Sequence, residues 1–122
     1  MTTTTLLRPL LCTTAFAAAL LAAGCATHPS AAGGEWGGYH RWQQAALAEA
    51  QQGTLAWSSY YQQSFDRLTV LPPSLEQDAR LEATVNLLSL ARKRDAGEIA
   101  PDAFEQQRAV LEARLAQRLQ HQ

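Results

Sequence analysis

Apolar residues recur every three or four positions through most of the chain after residue 38, which predicts helices rather than strands. The repeats predict four helices near residues 38–52, 57–70, 75–96 and 101–119. The expected core-facing stripes are Tyr39, Trp42, Ala46 and Ala50; Trp57, Tyr61, Phe65 and Leu68; Leu81, Val85, Leu88 and Ala91; Phe104, Leu111, Leu115 and Leu119. We therefore expect an all-α fold, a small bundle of two helical hairpins.

Two segments share the frame Gly-x-(Leu/Ile)-Ala-x-x-x-aromatic-x-Gln-Gln, one beginning at Gly53 and the other at Gly97. A glycine that adopts the left-handed conformation ends a helix, and Ala56 and Ala100 would then be the N-caps of the next helices. Each frame therefore predicts the turn of a hairpin. In an alternative, the first helix continues through Gly53 and the bundle has three longer helices.

The junction between the two hairpins carries a different signal. Pro72 and Pro73 are expected to end the second helix, and Ser74 with Gln77 has the spacing of a capping box for the third.

The second hairpin also has spaced leucines, then Gly97-Glu98-Ile99-Ala100-Pro101-Asp102-Ala103-Phe104, and Leu111 seven residues after the phenylalanine. This pattern resembles the short C-terminal helical hairpin module called SHOCT over about residues 85–115, although Ala100 and Ala103 replace the usual Thr and Glu. The resemblance implies oligomerisation or partner docking rather than catalysis.

The N-terminal region is distinct, because the 14 residues from Leu10 to Ala23 carry no charge. That length suits the apolar core of a signal peptide and falls short of the roughly 20 residues of a membrane-spanning helix. The run ends in Ala22-Ala23-Gly24-Cys25, which resembles a bacterial lipobox. The resemblance implies that residues 1–24 are a lipoprotein signal peptide, and that cleavage before Cys25 accompanies attachment of acyl chains such as palmitate to that cysteine.

Three other interpretations of this run stay open: an ordinary signal peptide cut after Ala26, an uncleaved anchor, and a buried helix of a cytoplasmic protein. If Cys25 is acylated in a Gram-negative organism, Ala26 in place of Asp implies transport to the outer membrane, facing the periplasm. Residues 25–38 are rich in Gly and small residues, which predicts a flexible tether, and residues 39–122 are expected to form a single helical domain.

Composition excludes several functional classes. The formal net charge is −1, so no basic face indicates nucleic-acid binding. Cys12 would leave with the signal peptide and Cys25 would carry lipid, so no disulfide is expected. His28, His40 and His121 lack metal-ligand spacing, and we predict neither a metal nor a cofactor.

Catalysis has no motif to support it. Ser58, Ser59 and Ser64 lie on a predicted helix, with no histidine placed near them by sequence. The acidic residues alternate with Gln and Arg on solvated faces, and no pair suggests a general acid and base. We therefore predict that the protein is not an enzyme and has no catalytic residue.

Aromatic residues concentrate in the first hairpin: Trp36, Tyr39, Trp42, Trp57, Tyr60, Tyr61 and Phe65. One interpretation is that they form its core. The other is that Trp36, Tyr39 and Tyr60 are exposed and bind a partner or a glycan, since Trp and Tyr are enriched at interaction sites. Trp36 is also suited to the lipid interface.

These observations predict a lipid-anchored envelope protein whose helical domain binds a protein partner or a second copy of itself at the membrane surface. The alternative is a periplasm-facing module that binds a ligand such as a cell-wall fragment or modulates an enzyme. A small hydrolase is the least favoured.

Overall fold

The computed structural model describes residues 31–122, and this region contains four helices and no strand. The helices are α1 (Ala31–Gln52), α2 (Trp57–Thr69), α3 (Leu75–Asp95) and α4 (Pro101–Gln120). The predicted all-α bundle of four helices is confirmed. The three-helix alternative is wrong, because Gly53 has a φ of +79° and separates α1 from α2.

The first helix begins at Ala31 rather than near residue 38, so residues 31–38 of the expected tether are helical. Their glycines disfavour a helix, but Trp36 and Tyr39 pack against Leu68 and Leu71 of the second helix and its following loop. Such tertiary packing overrides weak helix propensity. The lipobox, Cys25, His28 and the signal peptide lie outside the described residues.

The helices pack in chain order, α1 against α2, α2 against α3, and α3 against α4. At one end of the bundle, which we call the loop end, the start of α1, the α2–α3 loop and residues 118–122 come together. There the Gln122 Nε2 donates a hydrogen bond to the Leu75 carbonyl at 3.2 Å. The Gly53 and Gly97 turns lie at the opposite end, which we call the turn end.

The two turns have the same backbone geometry, as the shared sequence frame predicts. Gly53 donates to the Ala50 carbonyl while the next residue donates to the Glu49 carbonyl, and Gly97 and Glu98 repeat this pattern on Arg94 and Lys93. This is the Schellman arrangement, which requires a left-handed residue. Gly97 has a φ of +73°, so both glycines supply that conformation.

The amino end of α2 is capped by a residue from another helix. Ala56 occupies the N-cap position and offers no side-chain acceptor. Instead, a carboxylate oxygen of Asp95 accepts a hydrogen bond from the Ser58 backbone N–H at 3.1 Å. The end of α3 thus stabilises the start of α2 through a contact between the two hairpins.

The capping box expected at Ser74 forms only in part. Ser74 Oγ accepts a hydrogen bond from the Gln77 N–H at 3.0 Å. The Gln77 side chain does not return the contact; its amide donates to the carbonyls of Leu68 and Leu71, both at 2.8 Å. Gln77 therefore closes the carboxyl end of α2 and fixes the α2–α3 loop.

The core is aromatic in the first hairpin and aliphatic in the second. Its main cluster of buried residues is Ala46, Ala50, Trp57, Tyr60, Tyr61, Leu87, Leu88, Leu90, Ala91 and Phe104. The interpretation of the aromatic residues as core therefore holds for most of them. The prediction that Val85 lies on the core face of α3 is wrong, because its side chain is 51% exposed. The helix α3 packs between α2 and α4, and Val85 lies on neither of its two buried faces.

Candidate functional site

All four helices contribute to one cleft in the described region, which we call the tyrosine cleft. Its volume is about 280 Å³. Its lining consists of Tyr39, Gln43, Gln44, Leu47, Tyr60, Tyr61, Ser64, Arg80, Thr84, Leu87, Glu112 and Leu115. Hydroxyl and amide groups, together with the charged side chains of Arg80 and Glu112, therefore line a space whose remaining walls are apolar. A few polar groups among apolar walls are typical of small-ligand sites.

Ser64 is the most unusual member of the cleft. It is buried, and its Oγ makes no hydrogen bond of normal geometry among the described residues, although the hydroxyls of Tyr39 and Tyr60 lie close to it. A buried hydroxyl without a partner costs about 1–3 kcal/mol, so such groups are rare in folded proteins. The hydroxyl therefore has hydrogen-bonding capacity left for a polar molecule in the cleft.

Three buried tyrosines surround Ser64, and burial raises the pKa of each. It raises the pKa of Tyr39 to about 12. Burial also raises the pKa values of Tyr60 and Tyr61, and the negative charge of Glu112 raises both further. All three phenols are therefore neutral at physiological pH, and the cleft presents them as hydrogen-bonding groups without charge.

One charged network borders the cleft. Arg108 donates to Glu105 at 2.7 Å and to Glu112 at 2.8 Å, and Glu112 also accepts from the Tyr61 hydroxyl at 3.4 Å. Burial alone would lower the pKa of Arg108, but its hydrogen bond with Glu105 and the charge of Glu112 raise it. Glu112 is thus occupied in holding Arg108 and Tyr61 in place.

The structure separates the three predicted binding residues. Tyr39 and Tyr60 are buried, 5% and 3% exposed, so the premise that they form an exposed face is wrong. Both nevertheless line the tyrosine cleft. Trp36 is half-buried outside the cleft at the loop end, with the Arg80 guanidinium 5.8 Å from its ring centre.

Sequence reasoning missed Ser64 and Thr84 as cleft residues. Both are small, polar and buried, at positions where α2 and α3 otherwise place apolar residues toward the core. That interruption of an apolar stripe was the available signal. The sequence did not predict Arg80 as a cleft residue either, because its approach to the cleft depends on how α1 packs near α3.

A second feature is the outward surface of α4, which buries only Phe104. Leu111, Leu115 and Leu119 are half-buried toward the bundle. The opposite side exposes a row of uncharged residues, which we call the α4 strip: Gln106, Ala109, Val110, Ala113 and Gln117. Their spacing of three or four residues resembles the seam of a coiled coil.

The described part of the chain offers neither a cluster of metal ligands nor a membrane-spanning helix. It contains no group of three or more His, Cys, Asp or Glu side chains that could hold a metal ion. None of the four helices is both long and apolar enough to cross a membrane. His40 and His121 are not among the residues that line the tyrosine cleft.

No protein-family model matches the chain, and no curated protein or solved structure matches it.

Proposed function

We propose that the protein is a lipid-anchored, non-enzymatic envelope protein that self-associates through the α4 strip. The lipobox-like Ala22-Ala23-Gly24-Cys25 supports the anchor, and Ala26 supports an outer-membrane location facing the periplasm. The exposed, uncharged α4 strip is the observation that carries the interaction.

The α4 strip favours a second copy of the chain as its partner. Exposed helix faces normally carry charges, and burying unpaired charges in an interface is costly. Because the strip has no charge, two identical strips do not repel each other. Ala109 and Ala113 also allow close approach of two helix backbones. The pairing agrees with the oligomerisation implied by the SHOCT-like pattern of the second hairpin.

Disulfide cross-linking of the full-length protein in membranes tests the self-association. Val110 and Val85 are each 51% exposed, which makes them a matched pair on different helices. Under mild oxidation, we expect Val110→Cys to form a disulfide-linked dimer and Val85→Cys to form none. Equal cross-linking of Val110→Cys and Val85→Cys would exclude pairing through the strip. The absence of cross-linking in each of the single variants Val110→Cys, Ala113→Cys and Gln117→Cys would exclude it as well.

The anchor has a separate test. The intact mass of the membrane-bound product should match residues 25–122 plus acyl chains. An inhibitor of lipoprotein signal peptidase should shift the mass to the uncleaved, acylated precursor. A soluble product without acyl chains would overturn the anchor and leave the α4 strip to be tested by itself.

A second candidate function is recognition of a small polar ligand, such as a cell-wall sugar fragment, in the tyrosine cleft. The buried Ser64 hydroxyl favours it, because a ligand hydroxyl would give that group the well-formed hydrogen bond that it lacks. Cell-wall fragments should then change the fluorescence of Trp57, which packs against Tyr60 and Tyr61 with ring centres 5.9 and 6.0 Å away.

The same titration has a matched pair of variants on α2. Ser64→Leu should abolish the response by filling the cleft, and Ser59→Leu, at an exposed serine, should keep it. A response that survives Ser64→Leu would show that the ligand binds elsewhere.

A further inference from the structure

The most exposed large apolar side chains of the described region lie at the two ends of one loop. Val70 is 80% exposed and Leu75 is 69% exposed, and the prolines between them are exposed as well. Leu71 is buried against Leu68 and Tyr39, so the loop is fixed to the bundle while its apolar tip faces outward. Gln77 strengthens this arrangement through its hydrogen bonds to the Leu68 and Leu71 carbonyls.

The apolar tip lies at the end of the bundle where the chain enters. Glu35 and Val70 border the same surface depression, so the first turns of α1 stand beside the loop. Cys25 precedes Ala31 by only six residues, which span at most roughly 20 Å. A lipid attached to Cys25 therefore holds the loop end, and not the turn end, close to the membrane surface.

We infer that the α2–α3 loop is a second membrane contact, with Val70 and Leu75 inserted into the interface of the leaflet that carries the acyl chains. This inference rests on the proposed acylation of Cys25. A lipid surface suits the loop because the tip is small and apolar, and because the chain itself delivers it to the membrane. Trp36, half-buried at the same end, adds an amphipathic ring at the same level.

Charge does not supply this contact. Around the loop, Arg67 and Arg80 are outnumbered by exposed or half-buried acids, namely Glu35, Asp66, Glu76 and Asp78. The membrane contact therefore depends on apolar burial, and it should persist when salt screens surface charge. This separates it from adsorption of a basic patch to anionic lipid, which salt weakens.

The second contact also orients the domain. With the loop end on the membrane, α4 runs along the side of the bundle, and two neighbouring copies present their α4 strips laterally. A two-fold axis normal to the membrane then makes the paired helices parallel, which brings each residue of the strip next to its own copy. Membrane contact and self-association are therefore compatible.

Depth-dependent fluorescence quenching tests the contact on the full-length, acylated protein. The mature chain would have no other free thiol, so Val70→Cys and Leu75→Cys each accept one bimane label. The labelled protein is reconstituted in vesicles of phosphatidylethanolamine and phosphatidylglycerol that contain a lipid with a nitroxide headgroup. Gln52→Cys and Glu98→Cys, both exposed near the turn end, are the controls.

We expect quenching at Val70→Cys and Leu75→Cys to be several times stronger than at the two controls, and unchanged in high salt. In the variant Val70→Ser/Leu75→Ser, a label at Pro73→Cys should lose most of its quenching while the melting temperature stays the same. Equal quenching at both ends of the bundle, or its loss in high salt, would overturn the inference.

Intact mass distinguishes the two levels of the proposal. Protein that lacks acyl chains would contradict the anchor. Fully acylated protein with an unquenched loop would contradict only the second membrane contact.

Discussion

At the scale of single residues, glycines of this chain serve opposite roles, although an added methyl group would meet no atom within 4 Å at Gly38 or at Gly97. Gly38 lies within α1, where glycine weakens a helix. Gly97 has a φ of +73° and ends α3. The effect of adding a side chain is therefore set by the backbone alone.

The same substitution should therefore have opposite effects at the two positions. Gly38→Ala should raise the free energy of unfolding by about 0.5–1 kcal/mol, because alanine favours the helix. Gly97→Ala should lower it by about 1–2 kcal/mol, because the left-handed conformation is unfavourable for a side chain. Urea denaturation of both variants measures the difference. A decrease at both positions would mean that α1 gains nothing from a better helix former at residue 38.

Each of the three tryptophans also has an arginine over its ring. The guanidinium-to-ring distances are 5.8 Å for Arg80 and Trp36, 4.4 Å for Arg67 and Trp42, and 4.8 Å for Arg108 and Trp57. Such contacts contribute about 0.5–1 kcal/mol where exposed. Trp36 and Trp42 are only half-buried, and the guanidinium groups of Arg80 and Arg67 cover their rings.

At the scale of helices, α2 depends on α3 for its first turn. Asp95 supplies the acceptor that Ala56 lacks, and the two residues are far apart in sequence. The two hairpins are therefore joined by a specific polar contact as well as by apolar packing.

Removing the Asp95 carboxylate tests this coupling. Asp95→Ala should lower the free energy of unfolding by about 1 kcal/mol, the usual effect of losing an N-cap. Ala56→Ser should restore most of that loss in the Asp95→Ala background, because it places an acceptor at the N-cap itself, and should add little to the wild type. Thermal unfolding followed by circular dichroism gives all four stabilities. Failure of Ala56→Ser to rescue would show that Asp95 acts through another contact.

At the scale of the whole molecule, local signals predicted the helices well. The Gly53 and Gly97 stops, the prolines after α2 and the serine cap of α3 depend on nearby residues, and each appears where the sequence predicted it. The start of α1 was missed because it depends on packing against the α2–α3 loop. The Asp95 cap and the second role of Gln77 were missed because their partners belong to other helices.

The tyrosine cleft shows the same limit. Periodicity placed Tyr61 toward the core, but Tyr39 and Tyr60 were also offered as exposed residues. The choice depends on how deeply α1 packs beside α2, which no local pattern contains. Ser64 became noticeable only when its surroundings were known, since an isolated serine on a helix is ordinary.

The start of α1 beside the α2–α3 loop has a mechanical consequence. If Cys25 holds the chain in the membrane, any pull on the domain enters through the first residue of α1 and acts along that helix. The rings of Tyr39 and Trp42 pack sideways against α2, and the stacked pair Trp42 and Tyr60 has ring centres 6.1 Å apart. A tensile load would thus have to slide α1 past α2 in shear, moving many contacts at once, rather than peel them apart one by one.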